Sequence, residues 1–426
     1  MRIKAAIAVL SGVACFASIA AAADAAAVSP VSPGSPAGQA AGGCDPGWHL
    51  VTPPPAPGPD NNILTNVDVV SSKDAWFTGL SYPYAERTGI GDPPEIMMFR
   101  WDGNSISSVP SPAVGYAPDL QTSLGFDVTL DSPADGWLGA GATIGGSPAL
   151  RLHGGRWTPM PTAPVPTSGN STNIMSDAVS ISPADAWAVG FFGWSQAGQG
   201  VFGTAMIEHW DGSEWTVAAT PPPPDPDSQL LALTAVSPSD IWAIGWQGSN
   251  SYTDTIPLVE HFDGTAWHLV TAPAPGGSGT SVYPAAISGT GPDDVWMAGT
   301  VSPNGVGGIG NGSTSFVEHW NGTAWSVATT SLPTGAIGRN SLYAASPTDV
   351  WATQTTGVGI GTSFVHFDGH SWATVPFPGP REYGVSYTYY AIGGSGADDV
   401  WAVGTETTGD VPLIAHLGCG RGQDAS

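Results

Sequence analysis

The chain has 426 residues, of which 11% are charged, and a formal net charge of −25. With 10 Lys and Arg against 35 Asp and Glu, it is a poor partner for nucleic acid or for an anionic membrane surface. Solubility must then rest on Ser, Thr, Asn and Gly, which suits a soluble extracellular protein.

Residues 1–25 read as a secretory signal peptide. Arg2 and Lys4 form a basic start, Ala5–Ala23 is uncharged and alanine-rich, and Ala20-Ala21-Ala22 and Ala23-Asp24-Ala25 offer A-x-A cleavage sites. Cys15 falls in the removed part, because Gly12 stands where a lipobox needs Leu, Val or Ile. No later segment is apolar enough to span a bilayer. Residues 26–43 are Ala, Pro, Ser and Gly without apolar periodicity, a flexible linker. The mature chain keeps Cys44 and Cys419, one near each end of the patterned region, and an even count in an exported chain favours a disulfide. Residues 421–426 form a tail.

Between residues 44 and 420 one phrase recurs seven times: Asp, one residue, Trp. The copies are Asp74/Trp76, Asp135/Trp137, Asp185/Trp187, Asp240/Trp242, Asp294/Trp296, Asp349/Trp351 and Asp399/Trp401. The tryptophans lie 61, 50, 55, 54, 55 and 50 residues apart, a period that marks a repeat architecture. In the third copy, Ala178–Ile181 is a β-prone run and Ser182-Pro183-Ala184-Asp185 suits a type I turn. Ala186–Gly190 is a second strand and Ala205–Trp210 a third. Asp211-Gly212 signals a type I′ hairpin turn, and Ser213–Ala219, carrying Trp215, is the fourth strand. The other copies repeat this plan, with Asp102-Gly103, Asp263-Gly264, Asn321-Gly322 and Asp368-Gly369 at the second turn. Four short antiparallel strands per unit, repeated radially, make an all-β, seven-bladed β-propeller.

The seventh copy has a third strand, Leu413–Leu417, but no fourth. Trp48-His49-Leu50-Val51-Thr52 repeats Trp267-His268-Leu269-Val270-Thr271, the fourth strand of copy four, so the N-terminal strand completes blade seven. Cys44 and Cys419 then fall where other blades carry the Asp-Gly turn, and a disulfide there replaces the missing covalent turn.

The patterns Ser-Pro-x-Asp-x-Trp-Ala-x-Gly and Glu-His-Trp-Asp-Gly-x-x-Trp resemble repeats of secreted bacterial β-propellers. They are similar to Asp-box propellers and to the photosystem-assembly-factor type. The sequence departs from a true Asp-box, because Asp211 and Gly212 are adjacent, and it lacks the paired glycines of kelch repeats. The resemblance implies the architecture; such propellers include sialidase-like hydrolases, lectins and assembly factors, and no catalytic residue carries over.

Arg100, Arg151, His209, His261, His319, His366 and His416 share one slot on the third strand. Arg cannot replace His as a metal ligand, so this set reads as one structural donor per blade, directed at the repeated Asp or a backbone carbonyl, and no metal or cofactor is expected. Glu208, Glu260 and Glu318 read as structural too.

Function is expected on the other face, where the second-to-third and fourth-to-first connections differ in every copy. Unrepeated aromatics and cations fall there: Trp194, Trp246, Tyr252, Tyr283, Arg339, Tyr343, Arg381 and Tyr387 as ligand-binding candidates. Rings beside polar groups suit a glycan; the alternative is a hydrophobic cap on the blade ends. An enzyme reading needs converging acids. The position eight residues before each repeated Asp holds Asn66, Asp127, Asp177, Ala232, Ala286, Ser341 and Ala391, which puts Asp127 and Asp177 in adjacent blades. The expectation is thus a monomeric, secreted, non-catalytic binding propeller for a glycan or an extracellular protein. The alternatives are a carbohydrate-active hydrolase or lyase using Asp127 and Asp177, and a cell-envelope scaffold.

Closing a loop of hundreds of residues contributes up to about 4–5 kcal/mol in the chain-entropy model. Reduction of the exported protein should therefore lower its melting temperature; an unchanged melting curve would remove the Cys44–Cys419 closure.

Overall fold

The computed structural model describes residues 47–57, 62–81, 95–111, 127–139, 143–144, 149–163, 171–196, 200–225, 227–248, 254–277, 279–303, 313–329, 332, 337–355, 362–376, 385–406 and 411–418. The proposed signal, linker, C-terminal tail, Cys44 and Cys419 lie outside them, as do Tyr252 and Arg381. The described residues form seven antiparallel sheets and no helix, so none among them could cross a membrane as a helix. Six sheets have four strands. Blade 3 gains a fifth, Thr143–Ile144, donated by the second-to-third connection of blade 2.

The first strands are Asn62–Ser71, Val128–Ser132, Ser171–Ser182, Ser228–Ser237, Ser281–Gly291, Leu342–Ser346 and Tyr387–Gly396. They lie against one another in sequence, and the seventh returns to the first, so they form the inner wall of a closed ring. Gly47–Val51 pairs with Val411–Gly418 in the register Gly47↔Gly418 to Val51↔Ile414. The N-terminal strand is therefore the fourth strand of blade 7, and Trp48 stacks on Phe364 of blade 6 at 4.3 Å.

The Asp-x-Trp phrase explains the ring. Each Trp reaches into the next blade and meets its fourth-strand Trp or third-strand aromatic. Trp187 packs on Phe262 and Trp267, Trp242 on Trp320 and Trp325, Trp296 on Phe367 and Trp372, and Trp401 on Trp101. Within its own blade, the Trp ring carries the third-strand imidazole, stacked at 3.9–4.1 Å between centroids. That imidazole bonds through Nε2 to the repeated Asp at 2.7–2.9 Å in blades 3 to 7. Arg100 replaces it in blade 1, bidentate on Asp74 and over Trp76; Arg151 lies 3.6 Å from Asp135 in blade 2 and over Trp137. Six of the seven are thus structural donors to the repeated Asp, whereas Arg151 donates to the Pro183 carbonyl of blade 3 and leaves Asp135 to His153.

The second turn departs from the sequence reading. Trp210 pairs with Trp215, leaving a four-residue loop, Asp211–Glu214. Gly212 takes φ +94° while Asp211 stays out of the left-handed region. A type I′ turn needs positive φ at both central residues. Here the Asp side chain does the closing instead: Asp211 Oδ1 accepts from the N–H groups of Ser213 and Glu214, and Asp102, Asp263, Asn321 and Asp368 repeat this. Among the described residues, only His153–Arg156, with Gly154 and Gly155 both at positive φ, is a two-residue turn of the expected kind. The longer loop shortens the fourth strand to Trp215–Val217.

Glu260 and Glu318 are buried on the faces turned to the preceding blades. Their cross-strand neighbours are Ala243 and Met297, which belong to the clusters around Trp187 and Trp242. Loss of solvent pushes their carboxyls up, to about 7 and about 8. A carboxyl with a raised folded pKa binds its proton more tightly in the folded state. Its contribution is therefore best below the unfolded value near 4.5 and is lost as pH rises to the folded value. Glu318→Gln should leave stability nearly unchanged at pH 4.5 and raise it progressively to pH 8, by roughly a few kcal/mol, then plateau. Chemical denaturation across that range measures it; a pH-independent difference would contradict the assignment.

Candidate functional site

An inner strand is a sheet edge, and every other N–H on it points into the channel without a ladder partner. The preceding blade supplies the acceptors. Val128 N donates to Asn66 Oδ1 (3.2 Å), Leu130 N to Asp68 Oδ2 (2.6 Å) and Ser180 N to Thr129 Oγ1 (2.9 Å). Leu233 N donates to Asp177 Oδ2 (2.9 Å), Ala344 N to Ser288 Oγ (3.0 Å) and Ile392 N to Asn340 O (2.7 Å). Most polar groups of the inner wall are accounted for by this rule. Leaving one of these N–H groups bare would cost about 1–3 kcal/mol.

Asp127 departs from that rule. It occupies the slot of Asn66 and Asp177, so its expected donor is Ala178 N of blade 3. That N–H instead donates to Asp177 Oδ1 at 2.8 Å. Asp127 accepts from across the ring: Asn340 Nδ2 donates to its Oδ1 at 2.9 Å. Beside Asn340, Arg339 Nη1 donates to the Ser176 carbonyl at 3.4 Å. Arg339 and Asn340 precede the inner strand of blade 6, yet they touch blades 2 and 3. Asn340 holds φ at +54°, a conformation that Asn tolerates better than most residues. Ile337, two residues before Arg339, is buried in the cluster between blades 5 and 6 and anchors the segment.

The electrostatics reflect this crossing. Burial raises the Asp127 carboxyl to about 6, against the lowering effects of Arg339, Asn340 and Asn66. Asp177 is pushed well above the usual carboxylate range, first by burial and then by the neighbouring Asp127 charge. Burial lowers Arg339, and both carboxylates push it back. Asp127 is 7% exposed, whereas Asp177 and Arg339 are half-buried. Asp127, Gly139, Met175, Ser176, Asp177 and Ala178 line an open depression that leaves no enclosed room for a water molecule. Ser176 Oγ, in a residue only 4% exposed, has no hydrogen-bond partner among the described residues.

The structure thus brings together Asp127, Asp177 and Arg339, which the sequence had placed in separate candidate sets. The other candidates fall elsewhere. Trp246 is 4% exposed and packs edge-on against Tyr283, itself half-buried, between blades 4 and 5. Tyr343 lies near the repeated turns, not on the variable face: it packs against Gly394, and burial with Asp399 and Asp349 raises its hydroxyl to about 12. It is already the second residue of the inner strand, one step past the variable connection that the sequence assigned it to. Tyr387 is half-buried at the variable-face end of blade 7 and packs on the cluster around Tyr389. Trp194 lies on the extended second strand of blade 3, paired with Ser171 and Phe202; its side chain is outside the described set. Sequence reasoning missed Asn340 and Ser176; an Asn beside the lone Arg of that connection was the available signal.

No protein-family model matches the chain, and no curated protein matches it. Solved structures do. YCF48 bound to a D1 peptide superposes with a TM-score of 0.50 and 14% identity, over 87% of this chain and 96% of that one. A PL25 ulvan lyase bound to -[GlcA(1-4)Rha3S]- superposes with a TM-score of 0.54 and 9% identity, over 84% and 94%. At such identities the likeness shows the fold alone.

The two acids should respond differently to substitution. Asp177→Ala strips acceptors from Leu233 N and Ala178 N and should cost about 2–4 kcal/mol. Asp127→Asn removes no backbone cap and should cost under about 1 kcal/mol, or stabilise slightly at pH above 6. Equal losses in urea denaturation would refute the capping rule.

Proposed function

We propose that this chain is an exported, monomeric, non-catalytic binding propeller, which recognises a glycan or an extracellular protein through its variable-loop face. The observation that carries the reading is Asp127, a buried carboxylate which caps no inner-strand N–H and instead accepts from Asn340, in the field of Arg339, in a depression that Ser176 also lines. Among the described residues, a polar group set of this kind, drawn from blades 2, 3 and 6, occurs where the inner strands of blades 2 and 6 begin, on the side of the variable connections. Rigid strands hold it and individual loops surround it, which is the usual arrangement of a recognition site. Two solved propellers of similar fold hold a peptide and an acidic oligosaccharide, respectively.

A second reading, a carbohydrate-active hydrolase or lyase, is favoured by one observation: two adjacent carboxyls, Asp127 and Asp177, both raised towards the working range of a general acid. Against it, both Asp177 oxygens accept backbone N–H groups, so neither is disposed to move a proton to substrate.

The test uses the purified exported chain with a glycan array, a pull-down from culture supernatant, and turnover assays on polysaccharides. The binding reading expects retention without turnover, weakened about tenfold in Asp127→Asn, the loss of one charge-assisted hydrogen bond. Turnover that vanishes in Asp127→Asn would replace it with the enzyme reading. A stable protein partner with no glycan retained would point to a cell-envelope scaffold.

A further inference from the structure

In each blade the third-strand residue just before the basic slot is buried. Phe99, Leu150, Val365 and Ala415 fill this position in blades 1, 2, 6 and 7, and Glu208, Glu260 and Glu318 fill it in blades 3, 4 and 5. We propose that Glu260 and Glu318 form a pH-operated latch: while protonated they keep the outer strands Trp267–Leu269 and Trp325–Thr329 closed, and on ionising they release those strands while blades without an acid stay shut.

The bonding of the two carboxyls points this way. Glu260 and Glu318 are 1% and 0% exposed, yet Glu260 Oε2 and both Glu318 oxygens have no hydrogen-bond partner among the described residues. Their surroundings are apolar. The preceding blade presents Trp187, Val189 and Ile207 at the first junction, and Trp242, Ile244 and Val259 at the second. Cross-strand neighbours add Ala243 and Leu269 beside Glu260, and Met297 and Val327 beside Glu318.

The charged groups of these elements are turned away. His261 and His319 follow the two acids in their strands, so they lie on the opposite sheet face, bound to Asp240 and Asp294. His268 of the outer strand pairs with His261 on that same face. In blade 3, His209 and Asp185 lie behind the Trp187 ring, as His261 and Asp240 lie behind Trp242 in blade 4. Glu208 is paired with Ala188 and faces blade 2, and Glu260 in turn faces blade 3, away from Glu318. A carboxylate in either place would have neither water nor a cation, so the closed form keeps its proton. Burial accordingly raises Glu260 to about 7 and Glu318 to about 8.

The route for water is short. Each acid lies on the third strand, with one edge strand between it and solvent. Trp267–Leu269 has three residues and Trp325–Thr329 has five. Leu269 and Val327, directly across the ladder from the acids, are already 38% and 40% exposed. Detaching one short edge strand hydrates the carboxyl, a local opening that leaves the inner strands in place. Ionisation therefore drives movement of a few residues ahead of unfolding of the ring. An open carboxyl titrates near 4.5, and the closed ones near 7 and 8. Opening is then rarest below pH 4.5, grows as pH rises, and levels off above about 7 in blade 4 and about 8 in blade 5.

Hydrogen exchange of the full chain, read by mass spectrometry at pH 6, 7 and 8 and corrected for the intrinsic rate, tests this. Exchange in residues 258–270 and 316–329 should rise at least about tenfold from pH 6 to pH 8. Residues 96–109 of blade 1 and 363–375 of blade 6, with Phe99 and Val365 in the position, should stay level. Glu260→Gln/Glu318→Gln keeps the shape without the ionisation and should abolish the rise. If it fails to fold, Glu260→Leu/Glu318→Leu gives both blades the residue that blade 2 carries there. An equal rise in all four segments, no rise in blades 4 and 5, or a rise that persists in the folded variant overturns the proposal. Denaturation that becomes easier with pH while all four segments stay equally protected refutes the latch and assigns the cost of burial to the ring as a whole.

Discussion

Everything in this ring depends on one side chain being held in one place: the Trp of the Asp-x-Trp phrase. It belongs to its own blade by sequence and to the next blade by packing. An indole so placed has two χ angles to fix, and the blade fixes them from behind. The third-strand imidazole, or the guanidinium of Arg100, lies over the ring, and the repeated Asp holds that group by a short hydrogen bond. In blades 4, 5 and 7 the same Asp also accepts the indole N–H. Aromatic pairs of this kind contribute about 0.5–1.5 kcal/mol each beyond area burial, and here every blade junction has at least one. The junction between blades 6 and 7 needs the N-terminal strand, because Trp351 meets Trp48 there. Ring closure and blade packing are therefore one requirement.

That arrangement stabilises the blade flanks but leaves the inner strands with unpaired N–H groups. At six donors of blades 2, 3, 4, 6 and 7 the acceptor comes from the preceding blade, as Asn, Asp, Thr, Ser or a main-chain carbonyl. Polar residues in the channel therefore do not mark function by themselves. Asp68, raised to about 7 by burial, is a case: its oxygen accepts Leu130 N, so its perturbation has a structural cause. Asp177 is another. Asp127 stands apart only when the acceptors are counted and its expected donor is found engaged elsewhere.

Period, closure and the role of the basic slot were legible in the sequence because each rests on local chemistry repeated seven times. The turn type was misread because Asp-Gly serves two loop geometries. Which one forms depends on whether the two residues after Gly join the strand or the loop; in this chain the Asp carboxylate captures their N–H groups and pulls them into the loop. Whether Trp246 was open to a ligand was not legible for a different reason. A large ring beside a variable connection looks the same in sequence whether it faces solvent or the next blade, and Tyr283 sits 37 residues later, so the covering group is not local. The Asn340–Asp127 contact joins positions 213 residues apart, with no repeat to announce it.

The odd number of blades supplies the geometry of the site. In a ring of seven, no blade faces another directly. From blade 6, blade 2 is three steps in one direction and blade 3 three steps in the other, so a residue reaching across the channel from blade 6 arrives at the seam between them. A seam presents two inner strands at once, and equivalent slots on those strands place like residues side by side. Asp127 and Asp177 are such a pair, and the Asp127 charge adds to burial in pushing the Asp177 carboxyl up. An even-membered ring would direct the same residue at the middle of a single blade, where one strand offers one acid. Here the crossing segment, the acid pair and the missing cap converge: Asn340 reaches Asp127 of blade 2, and Arg339 reaches the Ser176 carbonyl of blade 3.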